Sequence, residues 1–454
     1  MQQAIDPATG DTISSYEELG NKMLNKAIVA ADTAYQDWQL VALDEKARKL
    51  RNAARVLEEE KEALSMLITR EMGKPIKAAQ AEIEKCAWTC LYYAQNAERF
   101  LRDEFVVTDA AKSYIAYRPI GPLLAIMPWN FPFWQVFRFA APNLMAGNTI
   151  LLKHAPNVPG CALAIASIFE KAGYPKGVFN SLLIPQKKVK RLIKNRLVRG
   201  VTLTGSVGAG RAVAAEAGKA LKKTVLELGG SDPYLILEDA DIAKAARTCA
   251  QSRLLNNGQS CIGAKRFIVL EPVYKDFLDA FRAEMGKAVL GDPLEQQTTL
   301  GPLARADLRE QLHSQVKQSR KKGAKIILGG KKAKGKGYYY PPTILAGVQR
   351  GMPAYHEELF GPVASVMKAQ NEREAVRLAN DTLFGLGAGI FTQDLERGER
   401  LAREHLQAGS CFVNEMVKSD PRLPFGGIKN SGYGRELSHY GLREFTNPKT
   451  VYIE

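Results

Sequence analysis

Residues 201–230, VTLTGSVGAGRAVAAEAGKALKKTVLELGG, set the fold class. A short apolar run at 201–203 leads into a glycine-rich turn, Thr204-Gly205-Ser206-Val207-Gly208-Ala209-Gly210. An alanine-rich helical stretch covers 209–221, and a second apolar run at 225–226 ends in Glu227-Leu228-Gly229-Gly230. Strand, turn, helix, strand in immediate succession is the unit of a parallel α/β sheet. Outward from it the alternation continues: 123–127 and 149–152 read as buried strands and 162–172 as a connecting helix. A second alternating series runs from about Tyr234 to Val413, so two α/β domains with a cleft between them are expected. Upstream, 44–72 is amphipathic and rich in Ala, Leu, Glu and Lys. It reads as one helix stopped by Gly73 and Pro75, with a second helix expected to about Leu101. Residues 105–117 and the apolar 450–453 read as strand material.

At 454 residues the chain exceeds one ordinary domain, and 46% hydrophobic with 24% charged residues is a globular composition. No apolar run approaches the ~20 residues that cross a bilayer, and the polar residues 1–12 lack a signal-peptide centre, so a cytoplasmic location is expected. The six cysteines form no CxxC pair and no zinc-type spacing, so no metal site is expected. A net charge of +15 raises the question of nucleic acid. Lys187, Lys188, Lys190, Arg191, Lys194, Arg196 and Arg199 form the densest basic segment. No aromatics interleave with them, so a solvated helix face is the preferred reading over a nucleic-acid surface.

Four local signals carry chemistry, and each admits a bland reading. Cys261, behind Asn257-Gly258-Gln259-Ser260, is either a nucleophile on a tight loop or a buried structural cysteine. Glu227 at a strand end is either a general base or a surface charge. Asn130, inside Pro128-Trp129-Asn130-Phe131-Pro132, either donates to an oxyanion or sits in a packed aromatic turn. The glycines at 205–210 before a helix suit a phosphate but do not form the standard GxGxxG string.

Together and in this order the signals resemble the aldehyde dehydrogenase superfamily over nearly the whole chain. The matching strings are PWNFP at 128–132, Lys153, TGS at 204–206, ELGG at 227–230, GQSC at 258–261, ELFGPV at 358–363 and PFGG at 424–427. The resemblance implies two Rossmann-like parallel-sheet domains with a small β oligomerisation arm. A cofactor domain is then expected at 1–102 and 120–228, a catalytic domain at 229–430, and the arm at 103–119 and 431–454. A homodimer or homotetramer is expected. The resemblance further implies that Cys261 attacks an aldehyde as thiolate and that Asn130 and the Cys261 backbone N–H hold the oxyanion. Hydride passes to NADP or NAD, and Glu227 activates the water that hydrolyses the thioester. Met127, Pro128, Trp129, Lys153, Pro156, Gly205, Ser206, Leu228, Gly229, Glu358 and Phe360 are the residues expected around the cofactor.

Within that family the chain looks like the group that oxidises succinate semialdehyde. Arg138, eight residues after Asn130, matches an arginine for the substrate's distal carboxylate, and an interdomain salt bridge is its other reading. Ser419 falls in a loop that supplies a substrate-contacting serine. Two departures stand out. Leu255 occupies the place of a second arginine, which leaves room for broad aliphatic aldehydes or glutarate semialdehyde. Gly263 replaces a second cysteine, so no redox switch is expected. Pro156 stands where strictly NAD-dependent members carry a glutamate, so NADP is expected to be accepted. A nucleic-acid-binding protein and a cofactor-free thiol esterase are the readings from other classes.

Overall fold

The computed structural model describes residues 1–454 and contains two large sheets and two small ones. The first large sheet runs in the order Gly432–Tyr433, Lys223–Glu227, Gly200–Thr204, Pro122–Met127, Thr149–His154, Phe179–Ser181. Its strands are parallel apart from the antiparallel edge at Gly432–Tyr433. Chain order reverses between Pro122–Met127 and Gly200–Thr204, and a doubly wound sheet binds its ligand outside the carboxyl ends at such a point. There lie Pro128 to Asn130 and Gly205 to Ser206. The central strands are covered on both faces, which is why they read as unbroken apolar runs.

The second sheet runs Lys325–Leu328, Thr343–Ala346, Val363–Ala369, Arg266–Leu270, Pro233–Ile236, Gly387–Phe391, Ser410–Val413. Only its Lys325–Leu328 edge is antiparallel. Cys261 and Glu358 each lie a few residues before a strand of this sheet, so its amino ends contribute to the site.

Three elements differ from the sequence reading. The expected helix at 44–72 is two helices, Leu43–Glu59 and Lys61–Met72, broken where Glu60 leaves helical geometry (φ −100°, ψ 10°). Gly73 does end the second, in a left-handed conformation at φ 78°. The helix Trp134–Ala146 was not anticipated. Every one of its residues is buried, so it has no polar face to give a periodic signal, and it contains Pro142. Finally, the segment after 431 does not lie wholly in the arm. Gly432–Tyr433 extends the first sheet beside Lys223–Glu227, and Ser438–Glu444 packs on the helices Ile76–Leu101 and Trp134–Ala146. Buried Leu437, Leu442 and Phe445 hold it in the core. The small sheet itself is Thr446–Ile453, Lys112–Pro119 and Glu104–Phe105, all antiparallel.

Candidate active site

The Cys261 loop is held by its backbone polar groups. Asn256, Asn257 and Gly258 take successive positive φ values of 55°, 59° and 73°, a conformation that costs L-residues on the order of 1 kcal/mol each. Side chains from several directions fix it. Arg253, fully buried, donates to the carbonyls of Gly258 (2.5 Å) and Ala264 (2.8 Å). Asn257 donates to the Gly73 and Pro302 carbonyls at 2.8 and 2.9 Å and accepts from Gly301 N. Lys265 Nζ donates to the carbonyls of Ser260, Cys261 and Gly263 at 2.9, 2.7 and 3.0 Å. At Gly258 a Cβ would fall on the backbone of Gly361 and Pro362, so glycine is obligatory there.

Asn130 lies against this loop. Its Nδ2 donates to the Gln259 carbonyl at 3.1 Å, and its own carbonyl accepts from Asn256 Nδ2 at 2.7 Å. One amide hydrogen of Nδ2 is left over for a ligand. The turn carrying Asn130 is pinned to the neighbouring strand end by His154. Ala155 N donates to His154 Nδ1 at 2.8 Å, so the proton sits on Nε2, which donates to the Pro132 carbonyl at 2.8 Å. Burial pushes this imidazole down to about 4, and it stays neutral. Behind the turn, Glu82 accepts from the backbone N–H groups of Phe133 (2.9 Å) and Trp134 (3.0 Å) and pairs with buried Lys74. Its carboxylate therefore sits at the amino end of Trp134–Ala146.

Two cavities meet at Cys261. The first, of ≈ 590 Å³, is lined by Pro128, Trp129, Asn130, Gly205, Ser206, Leu228, Gly229, Glu358 and Phe360 together with Cys261. It opens at the switch point of the first sheet, where the helix Val207–Lys219 begins with Ser206 as its cap. Trp129 and Phe360 meet edge to face at 5.8 Å. Glu358 accepts from Gly230 N at 3.1 Å and stands 3.6 Å from Lys265. Oriented N–H groups, a carboxylate for hydroxyls and apolar walls fit a dinucleotide. Three residues expected at the cofactor do not line this cavity. Met127 is buried in its strand. Lys153 is also buried, with Nζ donating to the His154 carbonyl at 3.0 Å. Pro156 is exposed just beyond that strand.

The second cavity, of ≈ 240 Å³, is bounded by one face of Ile76–Leu101 (Ala78, Ala81, Glu82, Lys85), by Trp134, Gln135 and Arg138, and by the loop from Met416 to Ser419. Arg138 is buried, pairs with Glu436, lies 3.4 Å from Thr204 Oγ1 and stacks at 4.6 Å on Phe425. Both readings of Arg138 thus find a counterpart: it faces the cavity and it is salt-bridged. Ser419 also lines the cavity, accepting from Lys85 Nζ at 2.9 Å. Glu227 lines neither cavity. Its carboxyl is buried without a hydrogen-bond partner, close to the Gly426 backbone. Burial raises it well above the usual carboxylate range against the pull of Arg138, and Glu436 adds to the rise. Burial likewise pushes the Cys261 thiol up to about 12, with Arg138 and Lys265 opposing.

Sequence reasoning missed Lys85, Glu82, Arg253, Lys265 and Glu436. No local motif marks them. The one available signal was Ala78, Ala81, Glu82 and Lys85 at helical spacing, a polar pair on an otherwise apolar face. The basic segment at 187–199 contains one short helix, Val189–Lys194, with Val189, Leu192 and Ile193 buried. Lys190 pairs with Glu216 at 2.8 Å, and Lys188 donates to the Leu19 carbonyl at 2.5 Å.

Cys261 thus stands where a groove that fits a dinucleotide meets a pocket rich in cationic side chains. The chain belongs to the aldehyde dehydrogenase family, whose model matches residues 1–451. It is 48% identical to a probable succinate-semialdehyde dehydrogenase [NADP(+)] of Synechocystis sp., covering 99% of each chain. It is 46% identical to a succinate semialdehyde dehydrogenase [NAD(P)+] of Escherichia coli, covering 99% of this chain and 97% of that one. The crystal structure of succinic semialdehyde dehydrogenase from Streptococcus pyogenes in complex with NADP+ superposes with a TM-score of 0.98, at 37% identity over 100% of both chains. No helix is long and apolar enough to cross a membrane.

Proposed function

We propose that this protein oxidises succinate semialdehyde to succinate with NADP or NAD. The observation that carries the reading is that Cys261 lines both the dinucleotide groove and a pocket rich in cationic side chains. The relatives' names, which carry this substrate with NADP(+) or NAD(P)+, support it. Cys261 Sγ adds to the aldehyde carbon, its proton passing to bulk water through the open groove. Asn130 Nδ2 and the Cys261 backbone N–H receive the resulting oxyanion, each such donor being worth ~2.7–4 kcal/mol. When bound in the groove, NAD(P) supplies the hydride acceptor that makes the adduct a thioester. Glu227 then turns from its buried rest position toward the sulfur and takes a proton from the water that hydrolyses the thioester. Trp129, Gly205, Ser206, Leu228, Gly229, Glu358 and Phe360 hold the cofactor. At the end of the adjacent strand, Pro156 puts no carboxylate where a glutamate would repel a 2′-phosphate, so NADP is tolerated. Six unpaired thiols support a cytoplasmic setting. The long, mostly exposed strand Thr446–Ile453 at the open edge of the small sheet supports assembly of copies.

The test is formation of reduced cofactor from succinate semialdehyde and from butanal, with NADP and NAD in parallel. A kcat/KM at least about tenfold higher for the charged aldehyde is expected. Equal values would leave a general aldehyde dehydrogenase, and turnover with NAD alone would overturn the reading of Pro156.

A further inference from the structure

Four cationic side chains line the pocket beside Cys261: Lys74, Lys85, Arg138 and Lys418. Three are already engaged by carboxylates, Lys74 by Glu82, Arg138 by Glu436 and Lys418 by Glu415. Lys85 alone has no ion-pair partner. Its ammonium donates to Ser419 Oγ at 2.9 Å and lies 4.1 Å above the Trp134 ring. It projects from Ile76–Leu101 on the same face as Ala78 and Ala81, whose small side chains leave the space in front of it open. On the opposite side the expected second arginine is absent, and Leu255 lines the wall instead.

Resting on the succinate-semialdehyde reading above, we propose that Lys85, with Ser419 as its hydrogen-bonded neighbour, is the anchor for the substrate's distal carboxylate. Arg138 already shares its charge with Glu436 and Leu255 offers none, so Lys85 is the cation left to complete the site. An unpaired, half-buried ammonium is incomplete in the free enzyme. Burial and the nearby Arg138 push it down to about 8, opposed by Cys86 and by the carboxylates of Asp420 and Glu82, neither of which forms an ion pair with it. A carboxylate entering the pocket completes the pair, forming a charge-assisted hydrogen bond in a partly desolvated site. An uncharged aldehyde gains nothing from it. Lys85 is therefore a specificity residue, touching the far end of the substrate and not the reacting carbon.

The test compares the ratio of kcat/KM for succinate semialdehyde to that for butanal in the wild type, Lys85→Met and Lys85→Arg. In Lys85→Met the ratio falls by about 10- to 100-fold, the loss residing in KM for the charged aldehyde. Lys85→Arg keeps the ratio within a few-fold of wild type. Binding of NADP to each variant, read by intrinsic fluorescence, confirms an intact fold independently of turnover. If the wild type prefers the charged aldehyde and Lys85→Met preserves that preference, Lys85 is not the anchor. An equal loss on both aldehydes in Lys85→Met and Lys85→Arg alike would assign Lys85 to packing and overturn the proposal. A wild type without preference would instead sink the substrate reading on which the anchor rests.

Discussion

Cys261, Asn130 and Glu227 could be nominated from sequence because each sits in a string whose neighbours are unusual: a Gly-Gln turn, flanking prolines, paired glycines. Their environments could not. Nothing in ELGG says that the Glu227 carboxyl rests out of both cavities, and nothing in PWNFP names the imidazole that pins it. His154 makes a sharp prediction at this scale. Its folded value of about 4 lies below its ordinary 6.5, so between those values the unfolded chain binds the extra proton. The stability this supplies is complete above pH 6.5 and is lost as pH falls toward 4, on the order of 3 kcal/mol in all. Urea midpoints of wild type and His154→Gln, measured from pH 7 to pH 4, should converge as the pH drops. Parallel curves would show that the imidazole is not buried neutral.

Among elements, strands were the most legible, because parallel strands covered on both faces write themselves as short apolar runs between glycine turns. Trp134–Ala146 was illegible for the opposite reason: with every face buried, a helix loses its period. What starts that helix lies far away in sequence, in the carboxylate of Glu82. Glu82→Ala removes two backbone hydrogen bonds and leaves Lys74 buried without its counter-charge. A loss of about 3–5 kcal/mol is expected in chemical denaturation. Adding Lys74→Met should recover part of it, since an apolar side chain no longer needs a partner. A single-variant loss below about 1 kcal/mol would mean that the cap and ion pair are dispensable.

For the whole molecule, two alternating series predict two α/β units, and two large, mostly parallel sheets are present beside two small ones. Their boundary was readable because Gly229 and Gly230 separate the last parallel strand of one from the first strand of the other. The return of the chain at Gly432–Tyr433 was not, since a two-residue strand carries no pattern. The proposed assembly of copies through the small sheet is open to a direct test. Deleting residues 446–454 takes away its outer strand while leaving buried Phe445 in place. The shortened protein should have a lower mass by light scattering with unchanged circular dichroism. An unchanged mass would show that the outer strand makes no contact between copies.

The edge strand Gly432–Tyr433 also bears on biosynthesis. It lies beside Lys223–Glu227, yet the whole second sheet is translated between them. On the ribosome, that flank of Lys223–Glu227 stays uncovered until residues 432–433 have been made. Chains terminated before residue 432 therefore expose a sticky β edge next to Glu227, and quality control should find those products insoluble even where every earlier element has formed.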